Sequence, residues 1–179
     1  MNKVWRGGLV GAGYILDSHA KALNVLPMAR MVAVCDRSAE RAQAAAQAYG
    51  IAQVFSSLDD LLRADVDVIH ILLPPDSHVD AARQCIEAGK HVFLEKPMGL
   101  DAAACQSLVD LAATHDVKLA VNHNFLFMPA YEKLRQQAAD GTLGPLDQIT
   151  INWLYPLGLI QSGPFNNWML QEPKNLLFE

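Results

Sequence analysis

Residues 4–16 read V-W-R-G-G-L-V-G-A-G-Y-I-L. Val4 to Val10 form an apolar run, Gly11 and Gly13 break it, and a helical pattern follows through His19, Ala20, Ala22 and Leu23. That is a strand, a glycine turn and a helix, the opening unit of a doubly wound α/β fold with helices on both faces of a parallel sheet. Gly11 allows the tight turn and Gly13 lets the backbone approach a pyrophosphate. The helix start presents free N–H groups carrying about half a positive charge. Ala12, Tyr14 and Ile15 complete this candidate dinucleotide-binding loop. The third glycine position is taken by Leu16, which argues against close helix-to-sheet packing.

Downstream, Met31 to Asp36 (M-V-A-V-C-D) is a second buried strand ending in a carboxylate. It stands roughly 20 residues beyond the glycines, the spacing of a ribose-binding acid. Asp36 would accept hydrogen bonds from the adenosine ribose hydroxyls and repel a 2′-phosphate, which favours NAD over NADP. Arg37, beside it, could accommodate that phosphate and keeps NADP possible; a solvated helix-start arginine is its plainer reading.

The pattern then repeats. Ser38 caps an alanine-rich helix ending near Tyr49 with Gly50 as its terminator, and Gln53 to Phe55 form a short strand. Ser57 with Asp60 caps a brief helix, and Val66 to Leu73 is a buried strand closing in Pro74 and Pro75. Asp76, Ser77 and His78 begin the next helix, which Gly89 ends. His91 to Leu94 is a strand running into Glu95, Lys96 and Pro97. In an open α/β sheet ligands bind outside the carboxyl ends of the strands, so Leu73, Pro74, Glu95 and Lys96 face the crevice. Glu95 and Lys96 point to opposite sides, one serving the fold and the other the substrate. Taken alone, Lys96 also reads as a strand-end surface lysine.

His78 lines the cofactor pocket or bonds backbone, while His19 and His91 read as packed side chains. Asp101 caps another helix, Lys118 to Val121 is the sixth strand, and Asn122 and Asn124 at its end are placed to bond ribose or substrate, or to cap the strand. Pro129 opens a connecting helix, and Gly141, Gly144 and Pro145 make a connector before Gln148 to Tyr155, which alternates like a strand of a second domain. The division expected is 1–122 for the dinucleotide-binding domain and 123–179 for the connecting helix and the incomplete start of a second, α+β domain.

Within 179 residues of net charge −5, 51% of them hydrophobic, there is no block of lysine or arginine. Nucleic acid and anionic membrane are therefore poor candidates as partners. No run approaches the ~20 apolar residues of a membrane span, and M-N-K-V-W-R-G-G lacks a signal-peptide core. A soluble cytoplasmic protein is expected. Cys35, Cys85 and Cys105 are too scattered for disulfides or a metal site, and no histidine pair has ligand spacing on one helix face, so no metal is assigned.

Together G-A-G-Y-I-L-D-S-H from Gly11, C-D-R at Cys35, L-P-P-D-S-H from Leu73, A-G-K-H-V-F-L-E-K-P from Ala88 and G-T-L-G-P from Gly141 resemble the glucose-fructose oxidoreductase, inositol dehydrogenase and rhizopine-catabolism family. The match runs from residue 4 to about 155. The resemblance implies an N-terminal Rossmann domain binding NAD(P), and a C-terminal domain supplying the substrate site and a homo-oligomer interface. It also implies hydride transfer to or from a sugar, inositol or related polyol, with Lys96 as the catalytic lysine, often followed by a cis proline bond. A later aspartate and histidine complete the family's site. Glu179 stands where the aspartate is expected, and Leu73 where the family often has Thr or Ser. The alternative is a truncated or degenerate dinucleotide-binding module without catalytic activity.

Overall fold

The computed structural model describes residues 3–152 and 154. The chain divides into two units, Met1–Asn122 and His123–Glu179.

In the first unit, β1 (Trp5–Val10), α1 (Leu16–Asn24), β2 (Ala29–Cys35), α2 (Ala39–Tyr49), β3 (Gln53–Phe55) and α3 (Leu58–Arg63) come first. They are followed by β4 (Val68–Ile71), a 3-10 turn (Pro75–Ser77), α4 (His78–Glu87), β5 (His91–Leu94), α5 (Ala102–Thr114) and β6 (Leu119–Val121). The strands form one six-stranded sheet in the order β3-β2-β1-β4-β5-β6, every pair parallel. The order reverses between β1 and β4, and that reversal opens a crevice at the carboxyl ends of the strands.

Alternation along each strand sends its residues to two cores. Leu9 and Val34 join Leu16, Ala20, Ala45 and Ala46 beneath α1 and α2. Val10, Ala33, Cys35, Ile69, Ile71, Val92 and Leu94 join Leu61, Cys85, Ile86 and Leu108 beneath α3, α4 and α5. Ile69 is fully buried, and truncating such a residue to alanine costs about 2–5 kcal/mol. Strands buried on both faces explain the continuous apolar runs of the sequence.

Local signals place the helix ends. The side chains of Ser38, Ser57 and Asp101 accept the backbone N–H of Arg41, Asp60 and Ala104, each cap contributing about 1 kcal/mol. Gly50, at φ 66°, ends α2 in the left-handed region. The run Val66 to Leu73 is cut to Val68–Ile71, because Val66 is held in a turn by the Ala64 carbonyl. Among the described residues no helix is long and apolar enough to cross a membrane.

The second unit holds a 3-10 turn (Asn124–Phe127) and α6 (Pro129–Ala139), with proline at the helix start. Residues 148–152 and 154 do not form the strand their alternation predicts. A strand exists only when paired, and no other strand of this unit lies among the described residues. Trp153, Tyr155, Trp168 and Glu179 lie outside the described residues.

Candidate functional site

The site begins at the glycine turn after β1. Gly11 has φ 102°, and a Cβ built there would stand 2.6 Å from the Leu72 carbonyl oxygen. Only glycine fits, because both the conformation and the close approach exclude a side chain. Gly13 differs: a Cβ there meets nothing within 4 Å, so the fold does not require glycine and the space in front of it is open. The N-terminus of α1 follows and has no side-chain cap; its Leu16 and Ser18 amides donate to the Gly13 and Ile15 carbonyls. Tyr14 is 96% exposed; Ala12 and Ile15 are half-buried. Leu16 corrects the sequence expectation. It is buried in the core under α1, so the longer side chain serves the helix-to-sheet contact that a small residue was expected to provide.

At the end of β2, Asp36 is buried and its carboxylate is tied to the glycine turn. Oδ2 accepts the Ala12 N–H at 2.7 Å. Oδ1 accepts the Ser38 N–H at 2.8 Å and the Arg41 guanidinium at 2.8 Å from Nη2. Burial pushes the Asp36 carboxyl up, and the bonds from Ser38, Ala12 and Arg41 together outweigh it and hold it below its ordinary value. The cation on Asp36 is thus Arg41; Arg37 is exposed. Sequence reasoning missed Arg41, although its place one turn into a helix capped by Ser38 points it back toward the strand end.

After β4, the Leu73 side chain lies 3.3 Å from the Cβ position of Gly11. Pro74 is exposed and starts the 3-10 turn. His78 is fully buried. Its Nε2 is 2.7 Å from the Leu73 carbonyl and its Nδ1 is 2.6 Å from the Pro97 carbonyl. Of the two readings of His78, the backbone-bonding one describes its contacts; its ring is not open to a ligand. It joins the turn after β4 to the loop after β5.

That loop carries Lys96, half-buried, with a cis peptide to Pro97. Glu95, beside it, takes the inward side of the pair. Its carboxylate is turned into the protein, where Oε1 accepts from His19 Nε2 at 2.7 Å and from Asn122 Nδ2 at 2.6 Å. Oε2 faces the Lys96 N–H at 3.3 Å. Burial raises the Glu95 carboxyl, but the bonds from His19 and Asn122 prevail and its value falls below the ordinary one. The bonds of its side chain therefore lie within the fold. Asn122 makes this bond, while Asn124 is an exposed residue of the second unit. His91 accepts the Lys118 N–H and meets Trp5 edge-on, a packed role.

Similarities to known proteins bear on this arrangement. Residues 5–123 match the model of an oxidoreductase family with an NAD-binding Rossmann fold. The chain is 36% identical over 147 residues to inositol 2-dehydrogenase of Rhizobium meliloti, covering 82% of this chain and 44% of that protein. It superposes with TM-score 0.75 and 29% identity on scyllo-inositol dehydrogenase of Lactobacillus casei with bound NAD(H) and scyllo-inositol, over 79% of this chain and 43% of that one. A 3-ketoreductase from Actinomadura kijaniata, solved with TDP-benzene and NADP, superposes with TM-score 0.73 and 27% identity over 79% and 44% of the two chains. The chain therefore spans less than half the length of the relatives it matches.

Proposed function

The chain belongs to the glucose-fructose oxidoreductase, inositol dehydrogenase and rhizopine-catabolism family of oxidoreductases with an NAD-binding Rossmann fold, and on that premise we propose that it carries the cofactor side of an NAD(P)-dependent hydride transfer. The substrate is a sugar, inositol or related polyol. The observation that carries the reading is the bond from Ala12 N–H to the Asp36 carboxylate, which makes the glycine turn and the acid one preformed surface.

The residues fit a dinucleotide. Gly11 forms a turn that no side chain could enter, Gly13 fronts open space, and the uncapped start of α1 suits a pyrophosphate. Asp36 suits the adenosine ribose, with Arg41 beside it to neutralise a 2′-phosphate. The bound nicotinamide supplies hydride chemistry. What this chain supplies is orientation and proton handling. The Leu73 carbonyl meets His78, which meets the carbonyl of Pro97, the residue after Lys96. Those contacts join the turn after β4 to the loop that carries Lys96, whose neutral amine would take the hydroxyl proton as hydride leaves the substrate carbon and whose ammonium would return it in the reverse direction. Holding the reactants in place is worth up to roughly 7–11 kcal/mol in ideal cases. Residues 1–122 are read as the cofactor domain and 123–179 as the start of the substrate side.

Calorimetric titration with NAD⁺ and NADP⁺ tests the proposal. NAD⁺ binding that is weakened by Asp36→Ala supports it; equal, feeble binding of both, insensitive to Asp36, refutes it. Because the chain spans under half its relatives' length, a second reading is a module that binds the dinucleotide without turnover. Tight NADH binding together with no reduction of NAD⁺ by any polyol of a panel would select that reading.

A further inference from the structure

Alternation places His70 of β4 and Phe93 of β5 on the face of the sheet that α1 covers, and Glu95, beyond Phe93, returns to that same side. From α1, the His19 ring meets Phe93 at 5.7 Å and His70 at 5.4 Å between ring centres. His19 Nδ1 lies 3.1 Å from His70 Nδ1, and its Nε2 lies 2.7 Å from Glu95. His19, His70 and Glu95 are all buried, at 6%, 9% and 8% exposure. A buried carboxylate is costly where an apolar side chain would fill the same space. A carboxylate differs in accepting hydrogen bonds from several chain segments at once. Here the donors are α1 through His19, the end of β6 through Asn122, and the Lys96 peptide itself.

We propose that His19 and Glu95 are positioning residues for Lys96: the Glu95 carboxylate, clamped by His19 and Asn122, fixes the Lys96 peptide and so the direction in which its ammonium leaves the sheet. The inference rests on the functional reading above, in which Lys96 faces substrate. Neither residue touches the reacting atoms. The clamp also joins Lys96 to the helix that follows the glycine turn, so the two halves of the site share one buried joint. Burial, and then the electrostatic influence of His19, push His70 down to about 4, so at neutral pH His70 is an uncharged partner; the bonds to Glu95 hold its carboxyl below the ordinary value, which makes it the anion of the joint.

The test reads Lys96 directly. The 179-residue protein is reductively methylated with ¹³C, and the Lys96 resonance is assigned by its loss in Lys96→Arg. His19→Ala and Glu95→Gln should displace that resonance in the folded protein and leave the other lysines in place. His19→Gln, whose amide Nε2–H can replace the imidazole donor, should restore it. If His19→Ala does not fold, Asn122→Ala removes a half-buried donor to the same carboxylate and carries the same expectation. A purely structural role would lower the melting temperature without moving the Lys96 signal. An unmoved signal in the folded variants therefore overturns the proposal. Failure of the wild-type protein to bind NADH would refute the functional reading instead, and the Lys96 signal would still decide whether His19 and Glu95 position it.

Discussion

The Asp36 carboxylate accepts the Ala12 amide at 2.7 Å across a separation of 24 residues. The acid at the end of β2 is thereby fixed to the glycine turn at the end of β1 before any ligand arrives. Removing a charged partner of such a bond costs about 1.5–3 kcal/mol. Asp36→Ala should weaken NAD⁺ binding by roughly ten- to a hundredfold in calorimetry, while Asp36→Glu, which overreaches the Ala12 amide, should retain only part of the affinity.

The glycines separate packing from binding. At Gly11 a methyl group would collide with the Leu72 carbonyl, so Gly11→Ala should lower stability by at least about 2 kcal/mol in urea denaturation and abolish NADH binding. At Gly13 the methyl group meets open space. Gly13→Ala should keep stability within about 0.5 kcal/mol and still weaken NADH binding. Unchanged affinity there would mean that the backbone of the turn does not approach a phosphate.

Arg41 bears on the choice between the two dinucleotides. Its guanidinium occupies Asp36 Oδ1, yet its side chain is 60% exposed, so its contribution is small and screened. Arg41→Ala should reduce NADP⁺ affinity more than NAD⁺ affinity, by roughly two- to fivefold, and Arg37→Ala should change the ratio less.

Much of this was legible from the chain alone. The continuous apolar runs marked the buried strands, and Ser38, Ser57 and Asp101 marked helix starts because a cap is a local interaction. Asp36 was legible because the acid lies at a fixed chain distance from the turn. His19 on Glu95 was not, since that pair joins elements far apart in the chain; Arg41 on Asp36 was missed although it is local, one turn into the helix that follows the strand. Leu16 misled because the small-residue rule leaves no room for a long side chain at that contact, whereas this core accommodates a leucine. The alternating segment 148–155 misled because alternation states a preference that a strand realises only beside a partner.

Away from the crevice, Asp67 ties the start of β1 to the turn before β4. Arg6 is the largest influence: its side-chain bond, helped by its backbone N–H and by Lys3 and opposed by burial, holds the carboxyl far below the ordinary carboxylate range. A depressed folded value means that the stabilisation is complete above the unfolded value of about 3.9 and is lost as pH falls toward the folded one. Asp67→Asn should therefore destabilise at pH 7 by about 1.5–3 kcal/mol. The gap to wild type should narrow below about pH 4, as chemical denaturation at several pH values would reveal.

Lys96 should matter for turnover and little for cofactor affinity. Lys96→Ala should leave NADH binding within about threefold, as judged by fluorescence titration, because the proposed cofactor contacts lie at the glycine turn and Asp36. Any polyol-dependent reduction of NAD⁺ should fall by about 10²–10⁴, the usual contribution of a general acid–base group.

The most direct measurement is a crystal structure of this chain soaked with NADH. The account predicts density for the adenosine ribose on Asp36, for the pyrophosphate over Gly13 at the start of α1, and for the nicotinamide on the Lys96 side of the sheet's rim. A dinucleotide bound elsewhere, or one lying in the crevice with its nicotinamide turned away from Lys96, would contradict it.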